Sequence, residues 1–146
     1  MREATPPRYA PAPSAVTLTG VLLDSDVIID ILRGRAAVVA ELRRLEAGGT
    51  PTYCCAVAWA EIFAGVRASE EARTEAFFDA RAEITIDATT GRRAGVYLAW
   101  YARSHGVEIA DALIAAAAST AGLHLWTQNV RHYPMDDLRL YRPPAS

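Results

Sequence analysis

Lysine is absent from this chain of 146 residues, and all fifteen of its basic residues are arginine. That absence excludes mechanisms built on a lysine side chain, such as Schiff-base formation or phosphate binding by a Walker loop. Several arginines occur in pairs, among them Arg43-Arg44 and Arg92-Arg93, and such pairs on helices are typical of a solvated face. The net charge of -2 gives no general argument for a nucleic-acid partner.

Cysteine and long apolar runs are also scarce. The two cysteines, Cys54 and Cys55, are adjacent, so in a strand they point to opposite faces and we expect buried free thiols. This pattern favours a reducing, cytoplasmic setting. No apolar run reaches the roughly 20 residues that span a bilayer, and we expect neither a membrane segment nor a secretory signal.

Proline is concentrated at the start of the chain, with four of the eight prolines at Pro6, Pro7, Pro11 and Pro13. We predict that residues 1–19 are a disordered N-terminal extension, because they offer little that could pack. The remaining residues, 20–146, are predicted to form one domain, which is long enough to bury a core without metal or disulfide staples.

Short apolar segments alternate with helical patterns along this domain. Strands are predicted near Val21–Leu23, Thr52–Ala56, Glu83–Ile86, Leu123–Trp126 and Leu138–Tyr141, with helices between them. This alternation predicts an α/β fold, a three-layer α/β/α sandwich with a mainly parallel central sheet. Right-handed crossovers bring the C-terminal ends of such strands to one edge, where ligands bind.

Several polar residues lie at the ends of predicted strands or in the helices that follow them. Asp24 ends the first strand, Asp111 lies in the first turn of an alanine-rich helix, and Asn129 follows the strand near Leu123–Trp126. Glu61 lies among apolar neighbours in a helix near Ala58–Val66, where a carboxylate is costly without a cation. Each has an ordinary alternative, since Asp24 and Asp111 are good helix caps and Glu61 could simply emerge from a buried helix.

Three carboxylates gathered at one edge repel one another, and a divalent cation removes that penalty. A site of oxygen ligands without thiolates or paired histidines favours Mg²⁺, with Mn²⁺ as a substitute, over zinc. Such a cation neutralises a phosphate and orients a water, so the residues indicate metal-assisted phosphodiester hydrolysis.

The same residues carry a family resemblance. The chain resembles PIN domains, and specifically the VapC-type ribonuclease toxins of bacterial toxin–antitoxin pairs. The matching stretches lie at residues 22–30, 60–66, 111–118 and 127–133, and with their spacing they cover residues 21 to about 142.

The resemblance implies particular roles. Asp24 and Asp111 match the metal-binding acids, and Glu61 matches the acid that completes the site. The family cleaves RNA, is blocked by a small cognate antitoxin, often through an inserted arginine, and commonly forms homodimers. One departure is that Asn129, or Gln128, stands where many members have a fourth acid, which puts a second metal in doubt. Asp26, Asp136 and Asp137 are acids that could compensate.

Two rival readings stay open. The sequence Asp24-Ser25-Asp26-Val27 also resembles the start of haloacid-dehalogenase-like phosphotransferases, in which Asp24 would be a nucleophile. That reading lacks the expected downstream partners, including any lysine. The other rival is a non-cleaving PIN-like module that binds RNA or protein, and Asn129 is the residue in its favour. The favoured hypothesis is a Mg²⁺-dependent RNA endonuclease with Asp24, Glu61, Asp111 and Asn129 in its site.

Overall fold

A computed structural model describes residues 18–144 of the chain. Most of the predicted N-terminal extension, residues 1–17, lies outside the described residues. Its last residue, Thr19, donates a hydrogen bond from Oγ1 to the carbonyl oxygen of Gly122 at 3.0 Å. Disorder of residues 1–19 therefore stays a prediction. Among the described residues, no helix is both long and apolar enough to cross a membrane.

Five short strands form the central sheet. They are β1 (Val21–Leu23), β2 (Thr52–Cys55), β3 (Ala82–Ile84), β4 (His124–Trp126) and β5 (Arg139–Leu140). Their order is β3-β2-β1-β4-β5, and every pair of neighbours runs parallel. The predicted mainly parallel sheet is thus confirmed.

Within residues 18–144, six α-helices cover the two faces of the sheet. They are α1 (Ser25–Leu32), α2 (Ala36–Ala47), α3 (Ala56–Phe63), α4 (Glu71–Asp79), α5 (Ala88–His105) and α6 (Ile109–Ala121). Residues of α1 to α4 share one hydrophobic cluster, and residues of α5 and α6 share another. The sheet separates them, so Cys54 joins the first cluster and Cys55 the second, both as buried free thiols. The three-layer α/β/α arrangement is confirmed.

Some predicted boundaries are wrong by one or two residues. The third strand ends at Ile84 rather than Ile86, because Ile84 pairs with Cys55 and its partner strand ends there. Helix α3 begins at Ala56 rather than Ala58, since the extended backbone of Cys55 leads directly into it. The length of a strand depends here on its neighbouring strand, and the local sequence pattern carries no information about that neighbour.

The order in which the strands are added to the sheet reverses between β1 and β4. Strands β2 and β3 lie on one side of β1, whereas β4 and β5 lie on the other. Ligands of open parallel sheets bind at the carboxyl ends of the strands beside such a point. Leu23 pairs with Trp126 here, so the next residues, Asp24 and Thr127, are neighbours at that edge.

Candidate active site

Asp24 lies at the centre of the candidate site and is 6% exposed. Its Oδ1 accepts a hydrogen bond from the backbone N–H of Ser25 at 2.8 Å, which makes it the cap of α1. Its Oδ2 accepts two more, from the hydroxyl of Thr127 at 2.7 Å and from that of Tyr133 at 3.0 Å. The capping role anticipated for Asp24 is real, but two further donors from distant parts of the chain converge on the same carboxylate.

Burial raises the pKa of Asp24, and the three donors oppose that rise. The charge of Asp111 raises the pKa of Asp24 further, which means that the two acids lie within electrostatic reach. The pKa of the Tyr133 phenol is also raised, first by burial and then by Asp24 and Asp111. Tyr133 and Asp24 are thus joined by a hydrogen bond, and the charge of Asp111 acts on both.

Asp26 and Asp30 lie one turn apart on α1, beside the segment that follows β4. The Oδ2 of Asp26 accepts the backbone N–H of Gln128 at 3.1 Å, and its Oδ1 is buried without a partner among residues 18–144. Burial and the neighbouring charge of Asp24 raise the pKa of Asp26 to about 6. Asp30 differs, because it contacts Arg35 at 3.0 Å and the side-chain amide of Gln128 at 2.9 Å.

Glu61 contradicts one expectation, because its residue is exposed rather than buried among apolar neighbours. In α3 the buried positions are Ala58 and Ile62, whereas Glu61, which lies about 100° around the helix from Ile62, is exposed. Its Oε1 accepts a hydrogen bond from the hydroxyl of Ser25 at 2.8 Å. Because Ser25 directly follows Asp24, this bond places the Glu61 carboxylate beside the candidate site, and Glu61 also lines a groove between α1, α3 and α4.

Asp111 and Asn129 meet at His132. The Oδ2 of Asp111 accepts the backbone N–H of Glu108 at 2.9 Å and lies 3.2 Å from Nδ1 of His132. The Nδ2 of Asn129 lies 2.9 Å from that same ring nitrogen. Asp111 is thus also a helix-end acid, as its ordinary reading anticipated, with a second contact outside its helix. Asn129 is exposed, and within residues 18–144 its side chain reaches the acidic cluster of Asp24, Asp26, Glu61 and Asp111 through His132.

The donor set is suited to a divalent cation in its chemistry, although its geometry is not closed. Among residues 18–144, no three Asp, Glu, His or Cys side chains converge closely enough to hold an ion. The available ligands are carboxylate oxygens, and one of them, Oδ1 of Asp26, is buried without a donor. Within the same residues, Asp24, Asp26 and Glu61 form no ion pair with an arginine. Side-chain rotation around this acidic cluster is required for an ion to bind.

Four residues of the site were missed by sequence reasoning: Ser25, Thr127, His132 and Tyr133. Thr127 carries a usable signal, because it is the first residue after β4, as Asp24 is the first after β1. Tyr133 carries no such signal, since it approaches Asp24 across 109 positions of the chain. Within residues 18–144, the hydrogen-bond donors to Asp24 are Ser25, Thr127 and Tyr133, and Asp137 accepts a hydrogen bond from the hydroxyl of Tyr97 at 2.8 Å.

Comparison with known proteins identifies the family of the chain. The sequence profile of the PIN domain family matches residues 21–138. The chain belongs to the PIN domain family. The match covers strands β1 to β4 of this PIN domain and ends just before β5. It includes every residue of the acidic cluster.

Relatives of this PIN domain are known by sequence and by structure. Ribonuclease VapC19 of Mycobacterium tuberculosis (strain ATCC 25618 / H37Rv) is 37% identical over 115 residues, covering 78% of this chain and 92% of the relative. A chain of a toxin-antitoxin complex from Klebsiella pneumoniae superposes with a TM-score of 0.64 at 23% identity, covering 79% of this chain and 91% of its own. DNA-bound VapBC from Salmonella typhimurium gives a TM-score of 0.71 at 21% identity, covering 86% and 98%. These two structures bear on the fold alone and confirm it.

Proposed function

We propose that this protein is a metal-dependent RNA endonuclease, the toxin of a toxin–antitoxin pair, and that a cognate antitoxin neutralises it. Its relative VapC19 is a ribonuclease and matches over 78% of this chain. The observation that carries the proposal is the buried Asp24, held by Thr127 and Tyr133 at the switch point of the sheet. A structural helix cap does not need two extra donors brought from beyond β4.

The proposed cofactor is Mg²⁺, with Mn²⁺ as a substitute, and Asp24, Glu61 and Asp111 are its proposed protein ligands. Hard oxygen ligands of this kind suit both ions. When bound, such a cation neutralises charge on the RNA phosphodiester and lowers the pKa of a water molecule. Asn129 is neutral and reaches the cluster through His132, so we assign it a role in hydrogen bonding rather than in charge.

The surrounding residues prepare the three acids for this task. Thr127 and Tyr133 fix the position of the Asp24 carboxylate and leave its Oδ1 bonded only to a backbone N–H. The hydroxyl of Ser25 donates a hydrogen bond to Glu61, whose exposed side chain has room to turn toward a cation. Nδ1 of His132 lies 3.2 Å from Oδ2 of Asp111. Fixing the Asp24 carboxylate in this way reduces the reorganisation that metal binding requires.

The test is cleavage of a mixed RNA pool by the purified, antitoxin-free full chain, with Mg²⁺ or Mn²⁺ and with EDTA. Glu61→Gln and Asp111→Asn are compared with Glu75→Gln, a matched change of an exposed glutamate on α4. We expect metal-dependent cleavage that falls by about 100-fold or more in both site variants, because general-base and metal contributions are each of that order. The control should cut like the wild type. A folded wild type that never cuts would refute the enzyme.

The proposed partners follow from the same assignment. RNA is the substrate, a small protein antitoxin covers the site, and the toxin acts in the cytoplasm as a homodimer. An antitoxin arginine inserted among Asp24, Asp26 and Glu61 would meet carboxylates that have no arginine partner within residues 18–144. Light scattering of the purified chain tests the dimer, since a mass of one chain at micromolar concentration would contradict it.

A second candidate function is a PIN module that binds RNA or protein without cutting. The observation in its favour is that Asp111 already has two contacts and that Asn129 brings no charge. RNA binding by a wild type that leaves the RNA intact with either metal would select this candidate. Binding of the same RNA by Asp111→Asn with unchanged affinity would then be expected as well.

A further inference from the structure

Asp26 is an acid of the cluster that is not among the metal ligands proposed above. It lies in the first turn of α1, two positions after Asp24, and is partly buried. One of its oxygens, Oδ2, accepts the backbone N–H of Gln128 at 3.1 Å. That bond ties α1 to the segment following β4, so half of the carboxylate has a structural task.

The other oxygen of Asp26 has none. Oδ1 is buried and has no hydrogen-bond partner among the residues 18–144. A buried carboxylate oxygen without a donor keeps the full cost of its lost hydration. The charges of Asp24 and Asp30 act on the Asp26 carboxyl, and both are negative. Within residues 18–144, no arginine forms an ion pair with Asp26 to balance them.

Asp30, on the same helix, is an acid whose two carboxylate oxygens both have partners. It lies one turn further along α1, where its Oδ1 meets Arg35 at 3.0 Å and its Oδ2 meets the side-chain amide of Gln128 at 2.9 Å. Both oxygens are thus occupied by protein donors. Of these two acids on one face of α1, Asp26 is the one that keeps a buried oxygen without a donor within residues 18–144.

We propose that Asp26 is a further ligand of the divalent cation, binding through Oδ1 while Oδ2 keeps its bond to Gln128. The inference rests on the proposed metal-dependent function. Asp26 then supplies the negative charge that Asn129 does not, from α1 rather than from the segment after β4. The ion it selects is a hard one that prefers oxygen ligands, Mg²⁺ or Mn²⁺.

The experiment is calorimetric titration of the full chain with Mn²⁺ and with Mg²⁺, alongside the melting temperature with and without each metal. Asp26→Asn is the main variant, because its amide oxygen can still accept from Gln128 while the charge is gone. Asp30→Asn is the matched control, the same change one turn away. Asp26→Ala, which loses the Gln128 bond as well, separates the structural contribution.

We expect Asp26→Asn to weaken metal binding by about 10- to 100-fold, the range seen when groups that support a bound metal are removed. Its melting temperature should respond less to metal than that of the wild type, and its RNA cleavage should recover at higher Mg²⁺. Asp30→Asn should bind metal with an affinity within about 2-fold of the wild-type affinity. A change of this size is well below about 1.36 kcal/mol, the free energy of a tenfold change in an equilibrium constant. Equal metal affinity of the two variants would overturn the inference.

Failure of the inference and failure of the proposed function are distinguishable. A wild type that binds metal and cuts RNA, beside an Asp26→Asn variant that binds metal equally well, refutes the role of Asp26 alone. A wild type that neither binds metal nor cuts RNA refutes both. If Asp26→Ala fails to fold, Asp26→Asn still decides the question, because it preserves the acceptor for Gln128.

Discussion

Replacing Thr127 by valine tests how Asp24 is held. Thr127 is 7% exposed, and its Oγ1 donates to the Asp24 carboxylate at 2.7 Å while accepting the backbone N–H of Asn129 at 3.0 Å. Valine has nearly the same shape but no hydroxyl, so Thr127→Val removes both bonds and leaves a carboxylate oxygen and an N–H with fewer partners. The backbone of β4 is not otherwise disturbed.

The size of the effect follows from the charge on Asp24. A hydrogen bond to an ionised group contributes about 1.5 to 3 kcal/mol and one between neutral groups about 0.5 to 1.5 kcal/mol. We therefore expect Thr127→Val to lower the free energy of unfolding by roughly 2 to 4 kcal/mol at pH 7.5. In a chain of this size that corresponds to a fall in Tm of roughly 4 to 16 °C.

The loss should also depend on pH. Burial raises the pKa of Asp24, so the carboxyl takes up its proton at a higher pH than an exposed aspartate does. Once Asp24 is protonated, the bond from Thr127 joins neutral groups and its loss costs less. The difference between wild type and Thr127→Val should therefore be largest at neutral pH and shrink as the pH falls through the titration of Asp24.

Urea unfolding in EDTA at pH 7.5 and pH 4 measures both effects. Thr127→Ser keeps the hydroxyl and should lose much less stability. Thr74→Val is the matched control, because Thr74 is 2% exposed and its Oγ1 donates to a neutral acceptor, the carbonyl oxygen of Glu70, at 2.8 Å. It should cost about 1 kcal/mol at either pH. Equal, pH-independent losses at the two threonines would refute the role given to Asp24.

Three further predictions concern the neighbouring groups. The free energy of unfolding of the metal-free wild type should fall by up to about 3 kcal/mol as the pH rises from 4 to 7, because the pKa of Asp26 is about 6 in the folded state and 3.8 in the unfolded state. Asp26→Asn should remove most of this pH dependence. A free energy of unfolding that does not change with pH in the wild type would contradict the prediction. His132→Ala should reduce RNA cleavage more than His132→Asn, whose amide can still donate to Asp111, and equal rates would deny His132 a positioning role. Tyr97→Phe leaves the Asp137 carboxylate without its phenol donor, so it should cost about 1.5 to 3 kcal/mol in urea unfolding; cleavage per folded molecule should be unchanged, and a lower rate would link this region to the site.

The layered fold was predictable because its signals are local. Short apolar runs alternate with helical patterns, and the adjacent cysteines point to opposite faces as the pleat of a strand requires. The neighbourhood of Asp24 was less predictable, because its two strongest side-chain contacts cross 103 and 109 positions of the chain. Knowing that Leu23 pairs with Trp126 is enough to place Thr127 beside Asp24, but strand register is not a local property.

The expectation about Glu61 was wrong for a different reason. Its neighbours in sequence, such as Ala60 and Ile62, are apolar, but neighbours in sequence lie 100° apart around a helix and do not share a face. The structure buries Ala58 and Ile62 and leaves Glu61 exposed. A carboxylate among apolar residues in the sequence therefore indicates a buried acid only when the buried face of its helix is already known.

Two of the clustered acids are helped by the helices that present them. Asp24 caps α1 and Asp111 lies in the first turn of α6, and a carboxylate at a helix N-terminus gains about 0.3 to 1 kcal/mol from the helix dipole. Such gains offset part of the mutual repulsion, which lets the chain bring these acids together before any cation binds. Asp26 lies in the first turn of α1 too, but the cap position of that helix is already taken by Asp24, and its Oδ1 has no donor among the described residues. The repulsion that the fold leaves unbalanced is thus concentrated at Asp26, which is where a cation would relieve the most.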